Sequence, residues 1–224
     1  MNETNWLTCL DPTPMLRFLQ DHRTSERKLR LLMCACCRQI WDLMPDPRSR
    51  AAVEVSDRYA DGEATPRELA RARGAAVSVK GGAATAAYYT ANTKASGPLL
   101  EAFGAAESAL ARQAAQQARY QQAAASWEAA QEASQCFQAA LIREVIGNPF
   151  RDYPLDPLWL AWEGGTVGHL ARGIYQDRAF DRMPILGDAL EEAGCDHDAI
   201  LAHCRSGEEH TRGCWVVDLI TDAG

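Results

Sequence analysis

The sequence predicts an all-α protein: a helical bundle built on a long Ala/Gln-rich central helix, joined to a compact helical C-terminal part. Three observations carry this. Apolar residues recur at three- and four-residue spacing along the chain. Start and stop signals, such as Asp-Pro and Thr-Pro before a run and Gly or Pro after it, divide the chain into helix-length pieces. Between Leu99 and Ile146, alanine and glutamine fill a stretch long enough for one very long helix or two.

The elements follow in order. Asp11-Pro12 reads as an N-cap with proline at the first helical position, opening a helix through Met15, Leu16, Phe18 and Leu19. Thr24 or Ser25 caps the next, whose Leu29, Leu32, Met33, Cys36, Ile40 and Leu43 share one face until Pro45 stops it. Asp46-Pro47 restarts the chain into a helix closed by Gly62. Thr65-Pro66-Arg67-Glu68 is a capping-box pattern, and that helix weakens at Gly81-Gly82. Ala83 to Ala91 continues or restarts it, and the best interior break is Asn92 to Pro98. In the Ala/Gln stretch, Tyr120, Trp127, Phe137, Leu141 and Val145 project within about a 100° arc at 3.6 residues per turn. Alanine lets helix backbones approach closely, so this segment reads as the central packing helix of a bundle.

Gly147-Asn148-Pro149 ends that run, and the composition turns proline-rich and aromatic. The expected domains are therefore 1–147, an N-terminal bundle, and 148–224, a compact Trp- and Cys-rich region packed on it. Three short helices are expected in the second: Thr166 to Arg178, Pro184 to Ala193 and Asp198 to Arg205. Cys214 to Ile220 is the one strand candidate, because Trp215, Val216, Val217 and Ile220 favour strands. A lone strand cannot make a sheet, so a final helix is nearly as well supported.

Composition bounds the function. The chain has 224 residues, 47% hydrophobic and 24% charged, which suits a globular fold rather than disorder. A net charge of -7 disfavours nucleic acid as a partner, since such binders displace counterions with a basic surface. The local basic run His22, Arg23, Arg27, Lys28 and Arg30 reads as a solvated helix face. No apolar stretch approaches a membrane span, and Met1 to Leu10 shows no signal-peptide pattern. Eight cysteines without export signals then point to free thiols in a reducing cytoplasm.

The segment "GNPFRDYPLDPLWLAWEGGTVGHLARGIYQDRAFDRMPILGDALEEAGC" followed by "ILAHCRSGEEHTRGCWVVDLI" resembles a protein family abundant in planctomycete bacteria. The N-terminal "WLTCLDPTPMLRFL" and "RKLRLLMCACCRQIW" look like the opening of the same family. "DALEEAGC" with "RGCWVVDL" also resembles a tail found on otherwise different proteins of such bacteria. The resemblance implies no activity and transfers no catalytic residue. A portable tail would imply an interaction or regulatory role.

Cysteine and histidine cluster at the two ends of the chain. Cys34 and Cys37 form a C-x-x-C about three turns into a helix, too far from its N-terminus for the dipole to activate a thiol. Buried structural cysteine is the favoured reading there. The rival is zinc, held by Cys34 and Cys37 together with two from His203, Cys204, His210 and Cys214, because thiolate and imidazole suit that ion. His203 and Cys204 are neighbours and point about 100° apart on a helix. A thiol-enzyme reading would make Cys214 the nucleophile, His210 or His203 the base and Asp218 its orienter. The plain reading is a loop that turns at Gly213 and tucks Cys214 and Trp215 into the core. Glu163-Gly164-Gly165-Thr166 is an ordinary turn, since no strand precedes it. Trp159, Trp162 and Trp215 either pack the core or anchor a partner.

The expected function is thus a cytoplasmic protein-binding or regulatory module without catalytic residues or a required cofactor, its partner another protein. The alternatives are a zinc- or thiol-dependent enzyme or zinc-stabilised domain using the Cys/His residues above, and a structural protein that self-associates through its long helix.

Overall fold

The computed structural model describes residues 1–22, 24–118 and 122–221. Among these, thirteen α-helices and no strand are present, so the protein is all-α. Internal contacts divide it into two compact units, Met1–Arg143 and Glu144–Gly224. The division falls in the last turn of a helix, four residues before the boundary expected after Gly147.

The first unit contains α1 (Glu3–Thr8), α2 (Pro12–Asp21), α3 (Glu26–Gln39), α4 (Pro47–Ala60), α5 (Pro66–Ala76), α6 (Gly82–Thr90), α7 (Leu99–Gln117) and most of α8 (Ala123–Ile146). Its helix starts are written into the sequence. Asp11 and Asp46 each accept the backbone N–H two residues on, at 2.8 and 2.9 Å, with proline at the first helical position. Thr65 and Glu68 form the full capping box, Thr65 N–H donating to the Glu68 carboxylate at 2.7 Å.

α3 runs through the core of this unit, packed against α4, α6 and α7. Leu29, Leu32, Met33, Cys36 and Ile40 are buried as their spacing predicts, and Leu31, Cys34 and Cys37 are buried too. A helix covered all round loses its polar face. Arg30 shows the consequence and corrects the solvated-face reading. Its guanidinium is buried and donates to the carbonyls of Thr90, Asn92 and Thr93 at 2.7–3.0 Å, over the ring of Tyr59. Arg27 likewise pairs with Asp61 at 2.9 Å. Arg23 lies outside the described residues.

The Ala/Gln stretch forms two helices, α7 and α8, rather than one. Tyr120 of the expected stripe lies outside the described residues. In α8, Ala139, Leu141, Ile142 and Val145 are buried. Close approach is literal at Gly82, where a Cβ would stand 3.1 Å from the Ala105 carbonyl oxygen and 3.2 Å from the Ala109 Cβ.

The second unit holds the end of α8, then α9 (Pro157–Ala161), α10 (Thr166–Asp177), α11 (Met183–Glu192), α12 (Asp198–Cys204) and α13 (Trp215–Thr221). The strand candidate is therefore a helix: Asp218 N–H donates to the Cys214 carbonyl at 3.0 Å. Val216, Val217 and Ile220 are all buried, so tertiary burial outweighs their β propensity. The core joins these residues to Val167, Ala171, Ile174, Met183, Leu186, Leu190 and Ile200. Trp159 belongs to that core, with Trp162 and Trp215 packed partly buried against it. The three tryptophans are thus core-packing residues and do not form an exposed anchor patch. Among the described residues, no helix is long and apolar enough to cross a membrane.

A candidate metal centre in the second unit

Four side chains of the second unit converge: Glu144, His203, His210 and Cys214 each place one donor atom within 4.8 Å of the other three. They come from different segments. Glu144 lies in the last turn of α8 and His203 in the last turn of α12. His210 sits on the connection between α12 and α13, and Cys214 immediately precedes α13.

Local backbone chemistry sets this geometry. Thr211 to Cys214 is a tight turn closed by the Cys214 N–H donating to the Thr211 carbonyl at 3.0 Å. Its third position, Gly213, has φ 90°, the left-handed value that glycine tolerates at that place. The turn delivers Cys214, fully buried, to the start of α13. Gly147 fixes the other wall. Its φ is 74°, and a Cβ there would stand 3.0 Å from the Trp215 ring. Trp215 in turn stacks near Tyr153, ring centroids 4.4 Å apart, and near His203 at 5.1 Å.

The contacts within the group are short. His210 Nδ1 is 3.1 Å and His203 Nε2 is 3.3 Å from the same carboxylate oxygen, Glu144 Oε2. His203 Nε2 is 3.2 Å from Cys214 Sγ. The other carboxylate oxygen, Oε1, accepts the Thr211 backbone N–H at 3.2 Å. The far nitrogen of His210, Nε2, meets the Ser206 hydroxyl at 3.4 Å. The side chains are 8% exposed at Glu144, 4% at His210 and 16% at His203, so water reaches them little.

Electrostatics follow from that burial. Desolvation brings the His203 imidazole down to about 4, against a smaller opposing pull from Glu144, and so keeps it neutral. A neutral imidazole offers a lone pair, the form a metal needs. Burial, reinforced by the Glu144 charge, pushes the Cys214 thiol far above its ordinary range. A divalent cation among these atoms would reverse that preference and hold the sulfur as thiolate. Glu144, His203, His210 and Cys214 therefore form a group that can hold a metal ion.

The residues singled out by sequence divide sharply. His203, His210 and Cys214 come together. Cys204 stands outside the group: its Cβ packs 3.0 Å from the position a Cβ on Gly187 of α11 would take. Cys34 and Cys37 are engaged inside the first unit, Cys34 Sγ donating to the Val53 carbonyl and Cys37 Sγ lying 3.2 Å from the Thr90 hydroxyl. Burial pushes both thiols up, Cys37 to about 12. They are core cysteines, not ligands. The fourth donor, Glu144, was missed. Its signal was present: it lies three residues after Leu141 on the buried side of α8, where an acid needs a partner.

At His203 the acid and the thiol do not take up opposite nitrogens. A relay needs the acid on one imidazole nitrogen and the nucleophile on the other. Here Glu144 and Cys214 both face His203 Nε2. Asp218 is buried on α13, and Arg212 lies over the Tyr175 ring.

Comparison of the chain with protein-family models, with curated proteins and with solved structures gave no match.

Proposed function

We propose that the second unit is a zinc-stabilised helical module, and that the chain works by binding another protein rather than by catalysis. The observation that carries the metal reading is the spacing of the four donors. Zinc–ligand bonds of 2.0–2.3 Å in a tetrahedron require donor–donor edges of roughly 3.3–3.8 Å. The contacts His210–Glu144 at 3.1 Å, His203–Glu144 at 3.3 Å and His203–Cys214 at 3.2 Å are close to those edges, and all four donors lie within 4.8 Å of one another. His203 would bind through Nε2, His210 through Nδ1, Glu144 through Oε2 and Cys214 through its thiolate. Thr211 N–H and the Ser206 hydroxyl would orient Glu144 and His210 from behind, as outer partners do in metal sites.

The donor set favours zinc. A thiolate with two imidazoles suits it, whereas iron sites built on two histidines and a carboxylate keep positions open. Four protein donors close a tetrahedral sphere, and closure supports a structural ion over a catalytic one, which needs a water position. The non-catalytic reading rests on that closure. Three of the four donors fall within "ILAHCRSGEEHTRGCWVVDLI", so a portable tail of this kind would carry three ligands and take the fourth from a preceding helix.

The test is metal content per chain by mass spectrometry on untagged protein purified without chelator. One zinc per chain, lost in Cys214→Ser and in His210→Ala, is expected. A folded, stable wild-type chain with no transition metal would refute the reading.

A further inference from the structure

We infer that the first unit carries a second, separate binding site: a pocket for a phosphate group at the N-terminus of α6. The cavity has a volume of about 250 Å³, well beyond one water molecule. The first turn of α6, Ser49, Lys80 and Arg112 line it.

Each wall presents a donor. The N-cap residue of α6 is Gly81, whose φ is 118° and which has no side chain to cap the helix. The first bond to the Gly81 carbonyl comes from Thr85 N–H at 2.9 Å, so the N–H groups of Gly82, Ala83 and Ala84 have no partner within the helix. Ala83 and Ala84 are each 5% exposed, which makes uncapped donors there costly. Such a terminus attracts an anion through its N–H groups and its dipole. Lys80 immediately precedes it. Arg112 comes from α7: Ala109, the residue that touches Gly82, lies one turn before Arg112 on the same helix face. Among the described residues neither cation has an ion pair. The acid at the rim, Asp46, is already engaged by Arg48 through two side-chain bonds of 2.7 and 3.0 Å.

Ser49 is the independent sign of a ligand. It is 1% exposed, and its hydroxyl has no hydrogen-bond partner. A helical serine ordinarily bonds back to the carbonyl four residues earlier, as Ser56 of the same helix does to Ala52 at 2.7 Å. Ser49 lies in the first turn of α4, so residue 45 is outside the helix and that outlet is missing. An orphaned buried hydroxyl, uncapped helix donors and two unpaired cations around one cavity match a tetrahedral oxyanion with several acceptor oxygens. The apolar wall, Leu43 and Val79, leaves room for the body of a small phosphomonoester.

The experiment titrates the full, metal-replete chain with sodium phosphate, and separately with glycerol phosphate, against sodium chloride at equal ionic strength. Melting temperature and the ¹⁵N–¹H shifts of Ala83 and Ala84 are the readouts. Saturable phosphate-specific stabilisation is expected, with both amides shifting. Arg112→Gln should weaken it about tenfold by removing a charge-assisted bond. Ser49→Ala should weaken it several-fold while leaving the melting temperature without phosphate unchanged or raised, because its hydroxyl bonds nothing in the free protein. Tighter binding of glycerol phosphate identifies the ligand as a phosphomonoester, and tighter binding of inorganic phosphate identifies the free ion. A response no larger than that to chloride, or one unaltered in both variants, would overturn the site.

Discussion

Cys37 in α3 and Cys214 before α13 are both fully buried thiols whose burial holds them protonated. Their surroundings differ in kind. Around the α3 cysteines the polar contacts are a backbone carbonyl, one hydroxyl and the side-chain amide of Gln138. Around Cys214 stand two imidazoles and a carboxylate within 4.8 Å. Burial alone therefore says nothing about a cysteine's role. What separates packing from ligation is the number of other donors at bonding distance. In the first unit the buried guanidinium of Arg30 is satisfied by three backbone carbonyls. The second gathers four donors that a cation would satisfy together.

The largest expected effect breaks that comparison directly. With zinc bound, Cys214 is shielded as a coordinated thiolate. A strong chelator should expose it to a maleimide and melt the second unit, because structural zinc contributes on the order of 10 kcal/mol in small domains. Cys34, Cys36 and Cys37 should stay unlabelled until the first unit itself unfolds, since no ion holds them. Mass mapping of the labelled peptides gives both results at once. Equal labelling of Cys214 with and without chelator would sink the distinction between the two cysteine groups.

Arg30→Met tests the other side. It removes a buried guanidinium and leaves three carbonyls without their donor. The expected cost is about 3 kcal/mol to the first unit, read by denaturant unfolding, with zinc content unchanged. A neutral result would mean that water replaces the guanidinium. Ser206→Ala is milder. It should leave one zinc per chain but lower affinity by about tenfold, through loss of the group that orients His210. An unaltered affinity in a competition titration would show that His210 is held by its ligand bond alone.

Much of this was legible in the sequence, and the limits have physical causes. Helix starts are local, and the Asp-Pro and Thr-Pro signals at Asp11, Asp46 and Thr65 each cap where expected. The face of α3 was half legible: periodicity marks Leu29, Leu32, Met33 and Cys36, but not that Arg30 and Leu31 are buried as well, because burial on the second face depends on α4 and α6. Trp215 to Ile220 favoured a strand locally, and packing on α10 and α12 decided otherwise. His203, His210 and Cys214 were visible as residue types at workable spacing. Glu144 was legible only as an acid on a buried face, not as their partner, because it lies 59 positions before His203, and only the fold brings the end of α8 to them. Cys34 and Cys37 showed the converse: a ligand-like spacing that the core absorbed.

Cys37 gives the smallest effect and the finest comparison, because here a buried thiol acts through pH alone. Its folded value is about 12 against an ordinary value of 9.0, raised by burial against weaker pulls from the Thr90 hydroxyl and Arg38. Between those two pH values the unfolded chain has lost the proton and the folded chain keeps it. Unfolding therefore releases a proton, and stability falls as pH rises, from its full value below pH 9 until the loss ends near pH 12. By pH 10 the loss from this one group is a little over ~1 kcal/mol. Cys34 and Cys36, also raised by burial, act in the same direction. Cys37→Ala should lower stability slightly at pH 7, by lost packing, yet flatten its decline from pH 9 to 11 by close to one proton's worth. Denaturant unfolding at a series of alkaline pH values reads that slope. Parallel curves for variant and wild type would mean that the thiol ionises in the folded protein, and that α3 is less tightly covered than its burial indicates.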